Sequence, residues 1–176
     1  SNCTFSDNSA VVLGGGIFNN GESGSVTLTV SASTFSGNST FYGFDGSGIF
    51  NDSATLEIGN TILNAGASGA NVGTLGGTVT SDGYNLSSDA AGGDDHSTGP
   101  GGLLNATGDI RNTDPMLGPL ADNGGPTFTH ALLPGSPAID HGKSFGLTTD
   151  QRGFSRLVDD ACIANAAGGD GSDIGA

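Results

Sequence analysis

The feature that most constrains the fold of this chain is an internal repeat with a period close to 30 residues. Three pairs of segments carry it: Thr4–Ser9 and Thr34–Ser39 at an offset of 30, Gly16–Asn20 and Gly48–Asp52 at 32, and Thr27–Val30 and Thr55–Ile58 at 28. Strand-like segments recur while the turns between them vary in length, which is typical of a solenoid. A two-sheet sandwich is the alternative, but it does not predict recurrence of the same turn residues.

The composition excludes stable amphipathic helices. The 176 residues include 33 Gly, whereas Gln151, Lys143, Glu22 and Glu57 are the only Gln, Lys and Glu residues. Strong helix formers are therefore nearly missing. Short β-branched or aromatic runs broken by Gly, Asn and Asp are typical of strands joined by tight turns. The fold class that we predict is all-β.

One interior column is predicted from the Phe motif of the repeat. Phe5 and Phe35 occupy the same place in successive copies, and a weaker third copy begins at Thr61, 27 residues after Thr34. In each copy one large side chain is expected to enter the core. We therefore expect Phe5, Phe35 and Ile62 to stack in one column.

A second column and a polar ladder follow from the same alignment. Alternation of apolar residues with Thr directs Val30 and Ile58 inward, so these two side chains are expected to stack. Asn19 and Asn51 fall at equivalent places in successive repeats. We expect them to form a hydrogen-bonded Asn ladder.

The charge distribution excludes two classes of partner. The formal net charge is −14, and all four basic residues (Arg111, Lys143, Arg152 and Arg156) lie beyond residue 110. Such a surface repels phosphate backbones and anionic headgroups, so we predict no nucleic-acid partner. The sequence has no run of about 18 apolar residues, and we predict no membrane insertion by this segment.

The second half of the chain carries a series of non-repeating motifs. They are Gly83–Leu86, Thr113–Leu120, Asp122–His130, Leu133–Asp140, Thr149–Phe154 and Asp173–Ala176. In this order they resemble the C-terminal part of choice-of-anchor Q domain proteins, and the repeats resemble those of polymorphic outer-membrane-like parallel β-helix surface proteins. The resemblance implies a right-handed parallel β-helix with a C-terminal capping region, exported to the cell surface or the medium. It carries no established catalytic residues.

Fading of the repeat after residue 65 indicates three regions. We expect parallel β-helix coils over 1–89 and an exposed Gly/Asp-rich loop over 90–104. The final coil and a cap that closes the open end of the core are expected over 105–176.

Asp140, Asp150 and Arg152 are the charged residues of most interest. Arg152 is expected to make a forked pair with either carboxylate and to hold the cap on the last coil. A catalytic group of Asp140, Asp150 and His141 is the alternative, which we favour less because Pro and Gly surround these residues as in rigid connectors. We therefore predict no catalytic residue and no cofactor.

Metal binding has little support in the sequence. His96, His130 and His141 lack metal-ligand spacing. Calcium at Asp94–Asp95 or at Asp170–Asp173 is a weak hypothesis, since the latter lacks the closing bidentate Glu of a calcium loop.

Three classes of function remain. The first is a secreted or cell-surface structural or adhesive module whose partners are surface glycans or copies of itself, assembled head-to-tail into extracellular fibres. The second is a carbohydrate-binding or polysaccharide-degrading β-helix enzyme. The third is an ice- or surface-binding solenoid, which needs an outward Thr array on every coil; Thr27 and Thr29 begin one, but Glu57 interrupts it. We favour the first class and predict no enzymatic activity.

The two cysteines, Cys3 and Cys162, leave three interpretations open. They are independent small residues, a disulfide within the chain, or a cross-link between neighbouring subunits in a fibre. A disulfide within the chain requires the cap to fold back along the whole stack.

Five Asn-x-Ser/Thr sequons are present. They begin at Asn2, Asn38, Asn51, Asn85 and Asn105. Several are expected by chance in a chain so rich in Asn, Ser and Thr, and their modification requires a host that glycosylates.

Overall fold

The chain is all-β in the computed structural model, which describes residues 1–42, 46–93 and 95–176. Within these ranges there is no helix, and hence none that could cross a membrane. The strands are β1 (Thr4–Ser6), β2 (Ser9–Ala10), β3 (Ile17–Asn20), β4 (Thr27–Ser31), β5 (Thr34–Ser36), β6 (Ser39–Thr40), β7 (Ile49–Asp52), β8 (Thr55–Gly59), β9 (Ile62–Asn64), β10 (Val72–Leu75), β11 (Thr78–Gly83), β12 (Leu86–Ser87), β13 (Leu117–Ala121) and β14 (Thr129–Leu132).

Successive repeats pair in parallel. The first sheet has the order β1-β5-β9-β12, the second β3-β7-β10, and the third β4-β8-β11. Each strand of these sheets is hydrogen-bonded to the strand at the same place in the next repeat. A short parallel pair, β2-β6, and an antiparallel pair, β13-β14, complete the set. The all-β class and the parallel pairing of repeats are confirmed.

Like side chains stack inside the three sheets. The Phe5 and Phe35 rings are parallel within 7°, with centroids 4.5 Å apart. Val30 pairs in register with Ile58, and both side chains are buried in the main apolar cluster. These contacts arise because parallel in-register pairing places each residue directly over its counterpart.

The third member of the Phe column is Leu63, and the expectation for Ile62 is wrong. Phe35 pairs with Leu63, whereas Ile62 pairs with Thr34. The offset between these strands is therefore 28 residues and not 27, and a shift of one residue moves a side chain to the other face of the sheet. Ile62 lies on the outer face of the first sheet, where it packs with Leu86, and it is only 1% exposed.

A single left-handed residue turns the chain into each strand of the first sheet. Asn2, Ala32, Asn60 and Tyr84 have φ values of 51°, 46°, 49° and 57°, and each lies two residues before its strand. Non-glycine residues seldom adopt this conformation, and Asn adopts it more readily than most. Recurrence of the left-handed conformation at these four positions shows that the stacking of repeats sets this turn, because Ala and Tyr have no local preference for a left-handed φ.

Part of the segment 90–104, which we expected to be an exposed loop, covers one end of the apolar core. Leu104 and Ala91 are buried in the main cluster, and Leu103 packs against it. The Arg111 guanidinium holds this segment, since its Nε donates to Gly99 O at 2.8 Å and its Nη1 to Ala90 O at 3.0 Å. Leu103 and Leu104 cover apolar surface at this end of the core, and removal of that surface from water favours their burial.

Residues 117–176, which we name the C-terminal segment, lie along the side of the stack and do not close its end. Asn2 Nδ2 donates to Thr149 O at 2.9 Å, and Thr4 Oγ1 donates to Gln151 Oε1 at 2.7 Å. Contacts to the first repeat therefore come from residues 147 positions later. The physical reason is the apolar outer face of the first sheet, where Ile62 packs with Ile174 of this segment.

Arg156 is the buried cation of this contact. It is only 6% exposed. Its Nη2 donates to Asn2 Oδ1 at 3.0 Å and to Gly175 O at 2.7 Å. Burial lowers the pKa of the guanidinium, and Asp150 and Asp173 oppose that shift. Arg156 thus joins the start of the chain to its last residues.

The Leu63 assignment predicts a large stability difference between two leucine substitutions. Leu63→Ala should lower the free energy of unfolding by about 2–5 kcal/mol, because it opens a cavity between repeats. Leu75→Ala is the matched control, since Leu75 is 62% exposed, and its effect should stay within about 0.5 kcal/mol. Urea denaturation of both variants measures the difference. Equal losses would show that Leu63 does not belong to the interior column.

The burial pattern also predicts which sequon a glycosylating host can modify. Asn38, Asn51 and Asn85 are buried and Asn2 is half-buried, whereas Asn105 is exposed. Expression through a eukaryotic secretory pathway should therefore give one glycan, at Asn105, in the folded protein. Mass spectrometry of peptides before and after glycosidase treatment measures the occupancy. Substantial occupancy at Asn85 would contradict the fold, because that side chain is enclosed.

Candidate functional site

A cavity of about 410 Å³ lies between the outer face of the first sheet and the C-terminal segment. Thr34 and Ile62 line it from the sheet. Its titratable lining residues are His130, Asp150, Arg152, Arg156, Asp160 and Asp173. This cavity brings charged side chains from several separate stretches of the C-terminal segment against one sheet face, so we regard it as the candidate functional site.

Asp150 and Arg152 form an ion pair at this cavity. Arg152 Nε and Nη2 lie 2.8 and 2.6 Å from the same oxygen, Asp150 Oδ2. Asp150 Oδ1 accepts hydrogen bonds from the backbone N–H groups of Arg152 and Phe154. The predicted pairing of Arg152 with Asp150 is therefore present, but both guanidinium nitrogens contact the same carboxylate oxygen. The pair stabilises a turn within the C-terminal segment rather than joining that segment to the last coil.

Asp140 belongs to a different arrangement. It is fully buried, with a φ of 57°. Its carboxylate accepts a hydrogen bond from the backbone N–H of Asp160, and its own N–H donates to Asp173 Oδ1 at 2.9 Å. His141 Nδ1 lies 2.7 Å from Ile139 O. Among the described residues no hydrogen bond joins Asp140, Asp150 and His141 to one another.

Asp173 is the lining carboxylate with a perturbed pKa. Burial raises the pKa of this group, and the Asp140 N–H together with Arg156 and Arg152 offsets part of the shift. Asp173 Oδ1 accepts the Asp140 N–H, whereas Oδ2 accepts no hydrogen bond from the described part of the chain. One oxygen of a half-buried carboxylate thus remains available to a ligand.

Arg156 adds an unsatisfied donor. Its Nη1 and Nη2 groups contact Asp173 O, Asn2 Oδ1 and Gly175 O. Its Nε is buried and has no hydrogen-bond partner. A buried N–H without an acceptor costs about 1–3 kcal/mol, so this atom is the clearest unexplained polar group of the site.

His130 completes one wall of the cavity. Its Nδ1 lies 2.7 Å from Gly118 O, which makes Nδ1 the protonated nitrogen. Its Nε2 lies 3.0 Å from Ser6 Oγ. The contact joins β14 to β1. The two contacts give His130 a positioning role.

The Asn ladder lies away from this cavity, between the second and third sheets. Asn19 Nδ2 donates to Asn51 Oδ1 at 2.7 Å. Asn51 Nδ2 donates in turn to Ala54 O at 2.8 Å and to Thr78 O at 3.2 Å. Both side chains are buried. These side-chain amides donate hydrogen bonds to backbone carbonyl groups at the turn between the second and third sheets.

The remaining candidates are not brought together. Cys3 and Cys162 are both exposed, and they form no disulfide. In the ranges that the structure describes, no three His, Cys, Asp or Glu side chains are grouped so that they could hold a metal ion. Asp94, one of the calcium candidates, lies outside the described residues. At the other candidate, both Asp170 oxygens already accept hydrogen bonds from Ser144 and Ser172.

The outward threonines of the third sheet are more regular than we expected. Thr27, Thr55 and Thr78 pair in one register, and Thr29, Glu57 and Thr80 pair in the next. Threonine thus returns after the interruption at Glu57, which accepts a hydrogen bond from Thr29 Oγ1 at 3.0 Å. A charged side chain still occupies the centre of the array.

Sequence reasoning missed Arg156 and Asp173 as members of one site. The two residues are joined through a backbone carbonyl and lie against a sheet face far away in the sequence. One signal was available. Ile62 and Leu86 occupy outward positions of the first sheet, and apolar residues at such positions indicate that another segment covers that face.

The pKa shifts of Asp170 and Asp173 predict opposite effects of two Asn substitutions. Burial opposes ionisation of Asp170, but hydrogen bonds from Ser144 and Ser172 outweigh it and lower the pKa. Ionised Asp170 therefore stabilises the fold above its unfolded pKa of about 4, and this contribution is lost as the pH falls. Asp170→Asn should cost about 1 kcal/mol at neutral pH, because the carboxylate is exposed and solvent weakens its bonds.

Asp173→Asn is the control of opposite sign. Because burial raises the pKa of Asp173, its ionised form disfavours folding at neutral pH and its protonated form does not. Removing the charge should leave stability at neutral pH equal or higher, and this gain should vanish in acid. Urea denaturation between about pH 3 and 7 measures both variants. Parallel pH profiles for the two would contradict the assigned directions.

The chain has no match among protein-family models, curated proteins or solved structures. The resemblance to choice-of-anchor Q domain proteins therefore stays an expectation from the sequence.

Proposed function

We propose that the chain is a right-handed parallel β-helix that acts as a structural or adhesive module of a secreted or cell-surface protein. The observation that carries this proposal is the in-register parallel pairing of like residues through successive repeats. Each repeat buries its apolar face against the next one, so the stack forms a rod whose length increases with each repeat. Extended rods of this kind suit scaffolding and surface display.

Three further sets of contacts support a rigid scaffold. The Phe5–Phe35 stack and the Asn19–Asn51 hydrogen bond restrain successive repeats from inside. Arg156 restrains them from outside, because it joins Asn2 of the first repeat to Gly175. Relative motion of repeats must break buried polar contacts, which is costly.

A polysaccharide-degrading enzyme is the rival function. Glycoside cleavage needs a pair of carboxyl groups that reach the substrate. Here the Asp140 carboxylate is buried and accepts the Asp160 N–H, and both Asp150 oxygens accept bonds from Arg152 or its turn. These engagements argue against Asp140 and Asp150 as the catalytic pair, and to that extent they favour the scaffold.

Self-association is the form of scaffolding that the sheet edges favour. Within the described residues, β1, β3 and β4 each pair with one strand only, as do β10 and β11 at the other end of their sheets. Unpaired edges at both ends template further strand addition. Head-to-tail stacking of copies would pair β3 and β4 of one subunit with β10 and β11 of the next. A contact of this type is heterologous and gives filaments unless it closes.

The self-association proposal predicts a concentration-dependent filament that one charged residue abolishes. Leu28→Lys places a charge on the inward face of the edge strand β4, where Leu28 is half-buried, and should prevent stacking. Val158→Lys is the control, since Val158 is 66% exposed on the C-terminal segment. Negative-stain electron microscopy and light scattering measure assembly.

Filaments in the wild type and in the Val158→Lys variant but not in the Leu28→Lys variant support the proposal. A wild type that stays monomeric at high protein concentration overturns head-to-tail assembly. Non-reducing gels then test Cys3 and Cys162: a ladder of multimers supports a cross-link between subunits, and monomers with two titratable thiols contradict it.

A further inference from the structure

We propose that the cavity beneath the C-terminal segment binds a neutral sugar ring. Its volume of about 410 Å³ falls within the range of about 300–1,000 Å³ that is usual for small-molecule sites. The inference goes beyond the scaffold role and does not depend on self-association.

Hydrogen-bonding capacity is the first argument. Arg156, which is 6% exposed, lines the cavity and has a buried Nε without an acceptor. Asp173 and Asp160 line the same cavity, and each uses one carboxylate oxygen to accept a backbone N–H. Their second oxygens accept nothing from the described chain. A hydroxyl group donates and accepts at once, so adjacent sugar hydroxyls can donate to the free oxygens of both carboxylates.

Charge is the second argument. Asp150 and Arg152 neutralise each other through a contact of 2.6 Å. The charges that remain on the cavity wall are those of Asp160 and Asp173 against that of Arg156. A negatively charged ligand meets a wall of net negative charge, and a charged ligand of either sign must lose its water to enter. A neutral polyhydroxyl ligand avoids both penalties.

The apolar part of the lining is the third argument. Ile62, Leu132, Ile139 and Val158 share the cavity with the charged groups. A pyranose ring carries hydroxyls around its rim and C–H groups on its faces. Aliphatic side chains on one wall and polar groups on another match that division. The low polarity of this wall agrees with the raised pKa of Asp173, which burial causes.

The test measures binding of methyl hexopyranosides to the full chain by saturation-transfer NMR and titration. Methyl glucoside, methyl galactoside and methyl mannoside serve as probes, and acetate serves as the anionic comparison. We expect at least one glycoside to bind with a Kd of about 1 mM, which is a free energy near −4 kcal/mol. Circular dichroism and thermal unfolding verify that each variant is folded.

Two pairs of variants locate the site. Ala131→Trp places a bulky side chain at the rim of the cavity, where Ala131 is an exposed lining residue, whereas Ala161→Trp changes an exposed alanine that is not among the lining residues. Asp160→Asn removes a lining carboxylate, and Asp159→Asn removes its exposed neighbour outside the lining. We expect Ala131→Trp to abolish binding and Asp160→Asn to weaken it about tenfold, as expected for one lost charge-assisted hydrogen bond. The two controls should bind like the wild type.

The outcomes separate clearly. Glycoside binding that is lost in Ala131→Trp and weakened in Asp160→Asn supports the proposal. It is overturned if no glycoside binds the wild type, if only acetate binds, or if glycoside binding survives both cavity variants. If Ala131→Trp does not fold, the Asp160→Asn and Asp159→Asn pair still decides. Filament formation is scored separately, so failure of one proposal leaves the other measurable.

Discussion

The parallel register of the first sheet is the constraint on which the rest of the structure depends. Pairing of Phe35 with Leu63 places those side chains inside and turns Ile62 to the outer face. Side chains alternate with a period of two, so a shift of one residue would exchange these two environments. With the register set, an apolar outer face is unavoidable, because Ile62 and Leu86 both face away from the core.

The C-terminal segment packs on that apolar face. Ala138 and Ile174 cover it, and the bonds of Arg156 to Asn2 and Gly175 hold the cover in place. This segment removes polar groups from water. Burial therefore raises the pKa of Asp173 and lowers the pKa of Arg156. The cavity lies where the C-terminal segment and the outer face of the first sheet are not in contact. Scaffold and candidate site therefore have the same physical origin.

The candidate site was only partly accessible to sequence reasoning. Asp150 and Arg152 are two residues apart, and their pairing is a local property that the sequence indicates. Asp140, although close to them in sequence, is held by Asp160 and Asp173 instead. The choice among nearby carboxylates depends on the path of the backbone, and Asp140 adopts a left-handed φ of 57° that no local glycine or proline motif predicts.

By itself, the sequence determined the all-β class, the parallel pairing of repeats and the stacking of Phe5 on Phe35 and of Asn19 on Asn51. These features follow from a repeat and from alternation of side chains, which are local and can be read without knowing the fold. Only the tertiary structure decided that Leu63 and not Ile62 continues the Phe column, and that residues 117–176 lie beside the stack. The deciding contacts join residues up to 154 positions apart, as between Arg156 and Asn2. No period in the sequence encodes such a contact, because it depends on which non-repeating segment buries the apolar face that the repeats leave open.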